Sequence, residues 1–179
     1  MAWTAPSTWV AGAILTAAQL NQQLRDNMNF LAVPNMCRAR STTATSIPNA
    51  TATIIPFAAA DSYDTASMHS TTVNNSRVTV GVVGIYSITG LIYLTANGTG
   101  QRIIVVYKNG AELESIQIPA VSGAFTCRIG ITTLNYASAI TDYYEIGMYQ
   151  DSTTSLLLSG IGPGGESAAL AVTYMGATA

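Results

Sequence analysis

Residues 101–118, QRIIVVYKNGAELESIQI, decide the fold. A β-branched run, Ile103-Ile104-Val105-Val106, leads into Asn109-Gly110, and an alternating run follows. Asn-Gly supplies two residues that accept positive φ, as a two-residue type I′ turn requires, and that turn's twist matches the twist of paired strands. The stretch is therefore an antiparallel hairpin. Before it, SRVTVGVVGIYSITGLIYLTA (76–96) sets Val78, Val80, Val82, Tyr86, Ile88, Ile92 and Leu94 in two strands that meet near Gly84. After it come FTCRIGITTLNY (125–136), DYYEIGMYQ (142–150), SLLLSG (155–160) and SAALAVTYMGA (167–177), separated by Gly, Asn and Pro. Upstream, ATATIIPFAA (50–59) is a β-branched run that Pro56 confines to an edge or a strand end. About eight to ten short strands with turn residues between them predict an all-β antiparallel sandwich or jelly roll. No helical crossovers alternate with the strands, which excludes a parallel sheet.

The first 36 residues read differently. Within TWVAGAILTAAQLNQQLRDNMNFL (8–31), Thr16 is an N-cap and Gln19 completes a capping box. Leu20, Leu24, Met28 and Leu31 then recur at helical spacing, with Gln22, Gln23, Arg25, Asp26 and Asn29 away from them, and Pro34 ends the helix. One amphipathic helix over about 16–32, with a narrow apolar seam, suits copies of itself or a docking groove better than a broad sheet. Residues 37–50 have no period and read as a linker, so the head domain spans 51–179.

Composition limits the chemistry. Of 179 residues, 9% are charged and 49% hydrophobic, which points to a surface largely covered by partner subunits. Seven basic residues and a net charge of −2 exclude a phosphate-binding face, so no nucleic-acid partner is expected. No apolar run is long enough to span a bilayer, and MAWTAPSTW lacks the basic start of a signal peptide. Neither membrane association nor secretion is expected. His69, in DSYDTASMHS (61–70), has Asp and Ser neighbours but no nucleophile elbow, so the segment reads as a polar loop and the chain as no enzyme. One His and two distant cysteines, Cys37 and Cys127, do not make a zinc set. Asp61 with Asp64, and Asp142 with Asp151, read as turn carboxylates rather than calcium ligands. No cofactor is expected, and GIGPGGES (160–167) reads as a flexible connection.

Alternation in 142–149 puts Tyr144, Ile146 and Met148 on one face, and Tyr143, Glu145, Gly147 and Tyr149 on the other. Bulk on both faces predicts a sheet covered inside by its partner sheet and outside by neighbouring subunits. Tyr143, Glu145 and Tyr149 are accordingly the expected trimer contacts.

Five stretches, TATIIPF (51–57), GIYSITGLIYL (84–94), VYKNGAEL (106–113), ITDYYEIGMY (140–149) and LAVTYMGA (170–177), resemble in order and spacing the C1q/tumour-necrosis-factor-like jelly roll. The resemblance implies a homotrimer that binds proteins or glycans. Trp9, Gly12, Thr16, Ala17, Leu20, Asn21, Arg25, Asp26, Asn27 and Leu31 resemble the opening of tailed-bacteriophage structural proteins. That second likeness implies that residues 1–36 attach to other virion proteins through Trp9, Leu20, Leu24, Met28 and Leu31. The expected protein is a homotrimeric virion component, a fibre, tail knob or capsid decoration, assembled in a bacterial cytoplasm. The alternative is a receptor-binding module for a host surface glycan or protein.

Overall fold

A computed structural model describes residues 4–123, 126–160 and 162–177. The decisive turn closes as its chemistry requires: Asn109 and Gly110 take φ of +53° and +79°. They join β7 (Asn97–Lys108) to β8 (Ala111–Val121), with Lys108 opposite Ala111. The other strands are β1 (Met36–Ser41), β2 (Ser46–Ile47), β3 (Thr53–Ile54), β4 (Ala59–Asp64), β5 (Val78–Thr79), β6 (Gly84–Leu94), β9 (Cys127–Ala137), β10 (Tyr143–Gln150), β11 (Leu156–Leu157) and β12 (Ala168–Gly176). Every pairing is antiparallel. One sheet runs β4-β1-β12-β6-β9 and the other β3-β10-β7-β8, with β5 also on β10 and a small β11-β2 pair beside them. The two sheets form a jelly-roll sandwich.

Period-two alternation builds the core between them. Tyr86, Ile88, Ile92 and Leu94 of β6 and Leu170 and Val172 of β12 face Ile104 and Val106 of β7 and Tyr144, Ile146 and Met148 of β10. Gly90 is the gap that lets the sheets approach: a Cβ there would lie 2.8 Å from Ile146 Cγ2 and 3.2 Å from Ile131 Cγ2. Cys127, on β9, is buried and unpaired, as is Cys37.

Three expectations need correction. The expected linker, 37–50, carries two strands: β1 lies inside its sheet, between β4 and β12, so the β-domain begins at Met36, and β2 follows. The inward residues of β1 are Cys37, Ala39 and Ser41, too small to show a hydrophobic period. By contrast, TATIIPF contributes only the two-residue β3, paired with Gly147 and Met148. The GIGPGGES connection is pinned rather than free. Its Glu166 is buried, paired bidentately with Arg38 and lying 3.7 Å from Arg40. The Arg38 guanidinium, outweighing burial, holds that carboxyl below its usual range.

Helical residues run from Ala17 to Ala32 as α1 (Ala17–Leu20), a π-type segment (Asn21–Asp26) and α2 (Asn27–Ala32). The Thr16–Gln19 capping box is present. Among the described residues no helix is long and apolar enough to cross a membrane.

Candidate functional site

The N-terminal segment has two unlike faces. On one, Asn27 and Gln23, a turn apart, hold residues 4–7 against the helix. Asn27 Oδ1 accepts the Thr4 N–H at 3.0 Å, and its Nδ2 donates to the Thr4 carbonyl at 2.9 Å. Gln23 Oε1 accepts the Ser7 N–H at 2.9 Å, and its Nε2 donates to the Ala5 carbonyl at 3.3 Å. Each amide thus pairs with the main chain as a neighbouring strand would. Further along, Phe30 is buried edge-on against Tyr174 at 5.3 Å. Tyr174 in turn meets Tyr86 at 5.4 Å, and Tyr86 lies 6.4 Å from Tyr144. This chain of rings ties the helix into the sandwich core, so the head does not begin cleanly after residue 36.

The other face is bare. Leu20, Leu24, Met28 and Leu31 are 39%, 57%, 66% and 68% exposed, and Trp9 is exposed as well. The apolar stripe read from sequence therefore exists, with none of its four side chains buried in the chain's own fold. The residue that does anchor the helix, Phe30, lies off that stripe.

The three expected subunit contacts divide. Tyr144, Ile146 and Met148 fill the core, so the alternation along β10 has the expected sense. On the outward face, the Arg77 guanidinium stacks 4.2 Å from the Tyr143 ring centroid. Glu145 is buried, accepting hydrogen bonds from Ser76 Oγ at 2.6 Å and Arg77 Nε at 3.3 Å. The chain's own 70–79 segment thus accounts for the bulk at Tyr143 and Glu145. Tyr149 instead lines an open hollow with Ile103, Val105, Tyr107 and Ala52. A second free surface is β9, the outer strand of its sheet, which presents exposed Leu134 and Tyr136. Periodicity alone did not single out β9, because an edge is a property of sheet order.

The carboxylates read as turn residues have specific partners. Asp142 sits under the decisive hairpin: Asn109 Nδ2 donates to it at 2.8 Å, Lys108 Nζ lies at 3.2 Å, and the Ser138 and Ala139 N–H groups point at Oδ2. Burial on its own would raise this carboxyl, but the Asn109, Lys108 and backbone donors together bring it down to about 2. Asp151 Oδ1 accepts the Gln101 N–H at 2.6 Å. His69 Nε2 donates to the Asn75 carbonyl at 3.1 Å, so the nitrogen that a triad would turn toward its serine is already committed.

No family model matches the chain, and no curated protein matches it in sequence. Solved structures do match. Murine APRIL at pH 5.0 superposes with a TM-score of 0.57 at 16% identity, over 79% of this chain and 98% of that one. Eiger TNF from S. frugiperda gives 0.55 at 10% identity, over 81% and 94%. The PRD1 vertex protein P5 gives 0.52 at 14% identity, over 79% and 96%. The sandwich is a TNF-like jelly roll.

Proposed function

We propose that the chain is a homotrimeric structural protein of a tailed-bacteriophage virion, anchored by its N-terminal segment and displaying the jelly roll outward as a fibre, knob or capsid decoration. One observation carries the reading: the helix commits Gln23, Asn27 and Phe30 to its own chain while leaving Leu20, Leu24, Met28 and Leu31 bare. Burying one large apolar side chain is worth about 1.5–3 kcal/mol. Four on one stripe give a docked helix ample driving force, against its own copies or a groove on the particle. The resemblance of residues 8–31 to tailed-phage structural proteins supports the anchoring role, and likeness in fold to a vertex protein supports a particle-borne one.

Subunit contact is assigned to the free surfaces. β9 is an eleven-residue edge strand without proline, with Lys108 donating to its Tyr136 carbonyl at one end, and a long edge of this kind is an aggregation hazard that a neighbouring subunit removes. The hollow at Tyr149, which mixes Ile103, Val105 and Tyr107 with Gln101, Glu112 and Ser115, is a further surface for contact.

The test is the double change Leu20→Asp and Leu24→Asp, with the variant co-expressed alongside the other proteins of its particle. Two unpaired carboxylates in a buried seam cost several kcal/mol, so incorporation should fall at least about a hundredfold. Asn29→Asp, on an exposed position off the stripe, is the control and should incorporate normally. Normal incorporation of the double variant would refute the anchoring role.

A further inference from the structure

Pairing of β5 with β10 sets Thr79 opposite Tyr143 and brings the 67–79 segment beside the start of β10. Between them lies a hollow of about 400 Å³, lined in part by Ser67, Asn74, Arg77, Thr79, Thr141 and Tyr143. Its size is that of a small-molecule site, and the N-terminal helix contributes nothing to it.

Three features of this hollow point to a ligand. The first is the way Arg77 is held. Glu145, buried on β10, accepts from Arg77 Nε at 3.3 Å and from Ser76 Oγ at 2.6 Å, and the guanidinium rests 4.2 Å from the Tyr143 ring centroid. Among the described residues neither Arg77 Nη has a hydrogen-bond partner. A guanidinium fixed at Nε and against a ring offers its two Nη groups as a ready fork, the shape that matches a carboxylate. The second feature is a set of uncommitted polar side chains. Among the described residues Ser67, Asn74, Thr79 and Thr141 have no side-chain partner, whereas neighbouring Ser70 Oγ is occupied by the Thr72 and Val73 N–H groups. The third is the backbone. Ser67 and Asn74 take φ of +53° and +47°, with the Thr79 N–H on the Met68 carbonyl at 2.7 Å and the Arg77 N–H on the Asn74 carbonyl at 2.9 Å. Left-handed backbone at non-glycine residues collects at ligand clamps.

We propose that the hollow binds an acidic sugar, its carboxylate on the Arg77 Nη groups and its hydroxyls on Ser67, Asn74, Thr79 and Thr141. The charge balance selects the ligand. Glu145 offsets the Arg77 charge, so a bare anion gains little attraction and the ligand must bring further hydrogen bonds. Hydroxyls and amides both donate and accept, as sugar hydroxyls do. An acidic peptide supplies the carboxylate but few hydroxyls to meet them.

Ligand-observed saturation-transfer NMR on the full-length protein tests the site, with glucuronate, galacturonate and N-acetylneuraminate as probes. At least one should bind at millimolar concentration. Glucose and acetate, each carrying one half of the recognised chemistry, should bind about tenfold more weakly or worse. The double change Thr79→Val and Thr141→Val is close to isosteric and removes no internal hydrogen bond. It should weaken the best acidic sugar about tenfold while the melting temperature holds. Arg77→Lys keeps the charge but loses the fork and should weaken binding by at least as much. Because Arg77 also pairs with Glu145, the threonine variant keeps the test independent of folding. Failure of all three acidic sugars to bind would overturn the proposal, as would wild-type affinity in the threonine variant. Acetate binding as tightly as the best sugar would also overturn it, leaving a plain carboxylate site of the kind an acidic peptide fills.

Discussion

Replacing Asp142 with Asn isolates the electrostatic part of the decisive hairpin. The carboxylate gathers Asn109, Lys108 and two backbone N–H groups from the 138–142 turn, locking β7–β8 to the start of β10. Its carboxyl is brought from an ordinary 3.8 to about 2. A group whose folded-state value is depressed stabilises the fold above its unfolded value, and that stability is lost as pH falls toward the folded value. The window is therefore about pH 4 down to about 2. A shift approaching two units at about 1.4 kcal/mol each gives roughly 2 kcal/mol at neutral pH. Urea unfolding of wild type and Asp142→Asn, followed by far-ultraviolet circular dichroism at one protein concentration, reads this as a stability gap. The gap should be roughly 2 kcal/mol at pH 7 and close most of the way by pH 2, where the wild-type carboxyl is itself about half protonated. A gap that stayed constant down to pH 2 would show that Asp142 acts through shape alone. The absence of a gap at pH 7 would show that its partners contribute nothing.

Two other perturbations test the packing. Gly90→Val places methyl groups where Ile146 and Ile131 already stand within 3.2 Å of a bare Cβ. It should cost about 1–3 kcal/mol or more, seen as a fall in melting temperature, whereas a wild-type melting temperature would mean the sheets can part. Asn27→Ala removes both bonds to Thr4 and should accelerate amide exchange across residues 4–7 without changing the melting temperature of the sandwich. Unchanged exchange would mean that Gln23 suffices to hold the lead-in.

What was legible in the sequence follows from the range of the interactions involved. Asn109-Gly110 specifies its turn within four residues, and Thr16 with Gln19 specifies a helix start within four; both are present in the structure. Alternation along β10 assigned Tyr144, Ile146 and Met148 to the core because large side chains carry that signal. β1 escaped notice for the opposite reason, since its inward Cys37, Ala39 and Ser41 carry little hydrophobic contrast and Arg38 and Arg40 mask the rest. Missing β1 also meant missing the neighbours of Cys37, because Asp61 and Asp64 reach it only through a strand pairing 24 or more residues distant in the chain. The outward bulk at Tyr143 and Glu145 had the same kind of origin: its cover, Arg77 and Ser76, comes from a distant segment of the same chain. Phe30 lies off the four-residue stripe, and its burial in the core beside Tyr174 reveals it as an anchor of the helix.

The mass of the full-length protein in solution, measured by light scattering across micromolar concentrations, tests the central claim most directly. A trimeric virion component should scatter as three chains of 18.7 kDa each, with the mass holding on dilution. A single-chain mass throughout that range would contradict the account, because the bare stripe and the open β9 edge would then have no partner copies to cover them.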